Sequence, residues 1–121
     1  MQIFPERYYN PRGGDAVTKK RAFANVSSPA TTELAASPGG TLCLAVFSIE
    51  IRSDVDASVI FKSGTTAISA TEYIAAQGGS NTGSPDNQMP LFKTTPGEAL
   101  NVTTTGTGNV SVSITYAPIH G

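Results

Sequence analysis

From residue 41 onward the chain is a series of short apolar and polar alternations. Leu42, Cys43, Leu44, Ala45, Val46 and Phe47 form an unbroken apolar run, after which Ile49 and Ile51 alternate with Ser48, Glu50 and Arg52. That switch predicts a strand covered on both faces at its start and on one face at its end. Ala57, Val59 and Phe61 alternate with Ser58 and Lys62, a second strand whose alternation only Ile60 breaks. Asp54 and Asp56 flank the turn before it, and Ser63-Gly64-Thr65 reads as the turn after it. Met89–Thr94 predicts a short strand, with Pro90 where an edge position allows it. Leu100 and Val102 alternate with Asn101 and Thr103, and Gly106-Thr107-Gly108-Asn109 reads as a hairpin turn. Val110, Val112, Ile114 and Tyr116 then give the clearest period of two in the chain. Strands near 42–52, 57–63, 89–94, 98–105 and 109–117 predict an all-β fold, an antiparallel β-sandwich or jelly roll.

Two stretches read differently. Ser69 and Glu72 have the spacing of a capping box and Gly78 could end a helix, which predicts one or two helical turns. Residues 78–88, rich in Gly, Ser and Asn, read as an exposed loop. Residues 1–40 hold no sustained period and are punctuated by Pro5, Pro11, Gly13, Gly14, Pro29, Pro38, Gly39 and Gly40. They nevertheless carry Phe4, Tyr8, Tyr9 and Phe23, unlike a disordered tail, which is poor in aromatics. The expected organisation is an extended N-terminal arm over 1–40, with one short strand at Ala22–Ser27, and a sandwich domain over 41–121.

Composition sharpens this. Charged residues make up only 14% of the 121 residues, against about 25% in an ordinary domain. Ser and Thr replace them, which suits short strands and a surface that ends against other protein. Net charge is −1, but residues 1–21 carry five basic and two acidic side chains, a net +3, and residues 22–121 carry three and seven, a net −4. A basic end on an acidic body gives the arm its own electrostatic partner. The single cysteine, Cys43, excludes an internal disulfide and reads as a buried, inert thiol. The N-terminus lacks a signal-peptide pattern, and no apolar run reaches the roughly 18–20 residues of a membrane span, so a soluble chain without an export signal is expected.

Catalytic chemistry is scarce. The one histidine, His120, lies next to the C-terminus, which leaves no Ser-His-Asp, Cys-His or zinc set. Asp54 and Asp56 sit two apart, on one face of a strand, but no glycine-centred calcium loop follows; turn carboxylates are the better reading. No spacing argument brings Glu50 and Glu98 together as acid and base, and no phosphate-binding glycine motif is present. The expectation is a non-enzymatic protein with no cofactor and no metal.

The arm residues Phe4, Arg7, Tyr8, Tyr9, Arg12, Lys19, Lys20, Arg21 and Phe23 are the candidate binding set. Three readings compete: docking on an acidic protein surface, a merely solvated arm, and nucleic acid, with phosphates on the cations and bases on the tyrosines. The acidic body repels a phosphate backbone and favours protein.

Over roughly residues 57–117 the chain resembles tailed-bacteriophage virion proteins. The likeness is carried by Pro90-Leu91-Phe92-Lys93-Thr94, by Pro96-Gly97-Glu98-Ala99-Leu100-Asn101-Val102 and by the alternating strand ending Ile114-Thr115-Tyr116. Similar proteins form trimeric jelly-roll modules on the phage surface: head decoration (cement) proteins, head fibres or tail appendages. The resemblance implies a homotrimer on the outer surface of the capsid, with the major capsid protein as partner. The arm lies outside the matching region, and its role as a capsid clamp rests on its charge and aromatics. The competing expectation is a receptor- or glycan-binding head-fibre or tail-tip module, with the 78–88 loop as its site.

Overall fold

The computed structural model describes residues 7–9, 16–83 and 89–120. Among the described residues ten strands follow in order: β1 Arg7–Tyr9, β2 Ala16–Thr18, β3 Lys20–Ala35, β4 Leu42–Ser53, β5 Ala57–Ser63, β6 Thr66–Ala67, β7 Glu72–Ile74, β8 Gly79–Gly83, β9 Phe92–Lys93 and β10 Leu100–His120. Every pairing is antiparallel. β1 and β2 make a separate two-stranded ribbon, and the other eight strands form one sheet. The protein is all-β, an antiparallel sandwich, as the alternation predicts.

The sandwich is built by long strands that pass from one layer to the other. β10 pairs with β3 on one side along most of its length. On the other side its first part, Leu100–Thr105, pairs with β5, and its second part, Val110–His120, pairs with β4. β4 and β5 are thus one line of chain along β10, interrupted at Asp54–Asp56. β3 shifts register at the same level, between Ser28 and Ala30, where Pro29 has no N–H to offer. A break shared by three neighbouring strands is how a sheet turns a corner into a second layer. The layers then meet across the interior. The rings of Phe61 on β5 and Phe92 on β9 lie 5.3 Å apart, and the Ser80 hydroxyl of β8 donates to the Glu72 carboxylate of β7 at 2.7 Å.

The period of two fills this interior. β10 turns its even positions inward on both sides of the corner: Leu100, Val102, Val110, Val112 and Ile114 are buried in one cluster with Val59 and Phe61 of β5. β4 changes parity part-way. Leu44 and Val46 join the main core from even positions, and Ile51 joins it from an odd one. The register explains this, because Val46 faces Tyr116 and Ser48 faces Thr115, which leaves Phe47 as an extra, bulged residue. Before the bulge the odd residues Cys43, Ala45 and Phe47 point to the other face, where they form a second buried cluster with Ala117 and Ile119. The unbroken apolar run of 42–47 is therefore a strand covered on both sides, and Cys43 is a buried thiol.

Four expectations are corrected. Residues 106–109 do not form a hairpin; they lie inside the single 21-residue strand β10. Their glycines serve close approach instead. A Cβ on Gly106 (φ +93°) would overlap the Asp56 carbonyl, and one on Gly108 would lie 2.6 Å from Asp54 Oδ1. The helical turn at 69–78 is absent: the Ser69 hydroxyl accepts the Phe61 N–H at 2.9 Å, and Glu72 begins β7 opposite Val59. The first part of the 78–88 loop is β8, paired with β4, and residues 84–88 lie outside the described residues. Finally, the short strand expected at 22–27 is part of the 16-residue β3, so the sheet begins at residue 20 and not after residue 40.

Gly106→Ala should cost about 2–3 kcal/mol in chemical denaturation, since it adds both a clash and an unfavourable φ. The exposed neighbour change Thr107→Ala should cost less than about 0.5 kcal/mol. Equal effects would contradict the close approach of the 54–56 segment to β10.

Candidate interaction surface

Strand alternation decides where the basic run goes. Lys20, Arg21 and Phe23 begin β3, where successive side chains leave on opposite faces. Arg21 and Phe23 lie on the outer face, opposite Thr115 and Ser113 of β10, and both are exposed, Phe23 at 76%. Lys20 points the other way and lines a cleft of about 290 Å³ at one end of the sandwich, with Pro38, Leu42, Leu44, Tyr116 and Pro118. Lys19 precedes the strand, and its ammonium sits 4.7 Å above the Phe47 ring. Partial burial lowers its pKa from the ordinary lysine value. The electron-rich ring face offsets part of that desolvation. Lys19 and Arg21 thus share the outer face while Lys20 leaves on the other, and the three adjacent cations do not make one patch.

The rest of the candidate set divides in two. Arg7, Tyr8 and Tyr9 form β1, whose backbone pairs with β2 in the register Arg7–Thr18, Tyr8–Val17 and Tyr9–Ala16. Phe4 and Arg12 lie outside the described residues. β2 runs beside β10. β2 therefore lies against the body, and Lys19 lies over the second cluster, whose Cys43, Ala45, Phe47 and Ala117 are fully buried.

The polar half of the same outer face was not legible as a surface. The register lays Phe23, Ser113, Glu50 and Asn81 side by side across β3, β10, β4 and β8. Glu50 pairs with Arg52 along β4 at 3.1 Å, with both side chains about half exposed (49% and 52%). A groove of about 310 Å³ lies here, lined by Arg21, Ser48, Glu50, Asn81, Ser113 and Thr115 among others. Gly83 lines it on β8. At the other end of β8 a Cβ on Gly79 would meet the Arg52 guanidinium and the Ile51 carbonyl at 2.5 Å.

The carboxylates once weighed for calcium or catalysis have structural partners. Asp54 accepts hydrogen bonds from the Asn109 backbone and side-chain N–H groups at 2.8 and 3.2 Å. Asp56 accepts the Ala76 N–H at 2.9 Å. Glu98 accepts from the Ser63 hydroxyl at 2.5 Å, in the β5 layer, while Glu50 stands on the outer face of β4. Among the described residues no group of three His, Cys, Asp or Glu is placed to hold a metal ion.

No family model and no curated protein matches the sequence. Among solved structures, a chain from the structure of infectious bursal disease virus, Gx strain, aligns with 88% of this chain at 12% identity and a TM-score of 0.33. This chain spans about a third of that one, 34% of its length. A likeness of that size carries no argument about what the chain does.

The Lys19–Phe47 contact is testable by a double-mutant cycle with Lys19→Met and Phe47→Leu. Denaturation should give a coupling of about 0.5–1 kcal/mol; additive effects would show that the ammonium contributes nothing over the ring.

Proposed function

We propose that this protein is a structural component of a virus particle, a decoration or cement protein that binds the outer surface of a phage head and stabilises the shell. The observation that carries the reading is the charge split, net +3 over residues 1–21 and net −4 over the rest. The resemblance of residues 57–117 to phage virion proteins supports it. So does a Ser/Thr-rich, charge-poor sandwich, which offers a rigid body and few groups that chemistry could use.

In this reading the N-terminal segment is the clamp. Exposed ion pairs contribute only about 0.2–1 kcal/mol each. Burying an aromatic side chain gives about 1.5–3 kcal/mol, so Phe4, Tyr8 and Tyr9 carry the affinity and the cations set its orientation. A homotrimer would present three such segments, and effective concentration would raise the strength of three weak contacts well beyond each alone. The major capsid protein is the partner, and Lys20 on the end cleft meets its acidic side chains.

Deletion of residues 1–15 leaves β2 and the eight-stranded sheet in the chain and removes the aromatics. Co-sedimentation with heads assembled without this protein should fall at least tenfold for that deletion. It should fall severalfold for Lys20→Glu, with β-sheet circular dichroism retained in both. Undiminished binding by both variants would overturn the clamp.

A further inference from the structure

The outer face of β3, β10, β4 and β8 carries a second arrangement that the clamp does not use. With strands about 4.8 Å apart, the row Phe23–Ser113–Glu50–Asn81 spans roughly 14 Å across the sheet. On one side of it the register sets Arg21 against Thr115. On the other it sets Arg52 against Gly79. A second groove of about 330 Å³, lined by Arg52, Asn109 and Ser111 among others, lies over that far side. The first groove is lined by Ser113, Glu50 and Asn81 of the row and the second by the next outward residues of β10 and β4, Ser111 and Arg52, on a face where Phe23 is one of three large apolar side chains left exposed among the described residues.

We propose that this face binds a short neutral oligosaccharide. A sugar ring has an apolar C–H face and a rim of hydroxyls. Phe23, at the edge of the sheet, offers an exposed ring for the first. Glu50, Asn81 and Arg21 offer planar groups with paired donors or acceptors for the second. Ser113, Thr115 and Ser48 are short and leave the face shallow, and the glycines of β8 keep its far edge low. About 14 Å is the reach of two to three sugar units laid across the strands, at roughly 5 Å each, one strand spacing per unit.

The same residues disfavour other occupants. A polar lining does not suit a compact apolar ligand, whose pockets are mostly hydrophobic. A carboxylate in the middle of the row repels phosphate and nucleic acid. A protein partner would need a desolvated apolar centre, which a row with Glu50 and Ser113 at its middle lacks. This inference stands apart from shell binding, and it moves the glycan-binding expectation from the 78–88 loop to the sheet face.

The test begins with labelled full-length protein on a glycan array, followed by NMR titration of the strongest neutral oligosaccharide found there. Binding should shift the amides of Ser113, Thr115, Glu50 and Asn81. Phe23→Ala should weaken it at least tenfold and Glu50→Gln three- to tenfold. Both side chains are on the exposed face, so unchanged denaturation midpoints separate lost binding from lost fold. The 1–15 deletion should bind the sugar as the full chain does, which separates this site from the clamp. Three results would overturn the proposal: no neutral saccharide retained, equal binding by Phe23→Ala, or concentration-dependent self-association abolished by Phe23→Ala in a protein that binds no sugar.

Discussion

β10 is the strand on which both layers depend. It pairs with β3 on one side and with β5 and then β4 on the other, and its even-numbered side chains face the interior on both sides of the corner. That continuity requires the 54–56 segment to cross close over residues 106–108, where a Cβ at Gly106 would overlap backbone. The crossing is fastened from both sides, since the Asp54 N–H donates to the Asn109 carbonyl at 3.1 Å and Asp54 Oδ1 accepts the Asn109 N–H. The corner, the parity of the core and the position of β5 follow from one close approach.

The outer surface follows from the same alternation. Once even positions of β10 face inward, Ser111, Ser113 and Thr115 must face out, and Ala117 and Ile119 continue the row into the second buried cluster. One face of one layer therefore has a buried apolar end, where Lys19 lies over Phe47, and an open polar end. The bulge at Phe47 makes this possible, because it lets β4 contribute odd residues to the buried end and even residues, Ser48 and Glu50, to the open one.

Much of the fold is legible in the sequence wherever one face is strongly apolar. β5 occupies the expected residues because Val59 and Phe61 alternate cleanly and turn residues mark both ends. β3 is faint because its inward row is Ala22, Ala24, Val26, Ser28 and Ala30, small side chains with little hydrophobic contrast. β8 reads as a loop because Gly-Ser-Asn-Thr-Gly has no apolar face and is held by backbone pairing to β4. Gly106 and Gly108 read as a turn because a glycine that allows reversal and one that allows close approach look alike locally; the deciding neighbours lie about fifty residues away. At the candidate surface the residue types Lys19, Lys20, Arg21 and Phe23 are legible, but their directions are not. The row from Phe23 to Asn81 comes from four separated strands that only register joins.

In the proposed role one end of the sandwich meets the shell. That end carries Lys20 and its cleft, while the Phe23 row faces sideways from it. A cryo-EM reconstruction of intact particles tests the proposed role most directly. Decoration predicts regular density for this chain on the outer surface of the head, with the Lys20 end of β3 against the major capsid protein and the row from Phe23 to Asn81 open to solvent. Density confined to the tail, or a head-bound chain with its Lys20 end turned away from the shell, would contradict it.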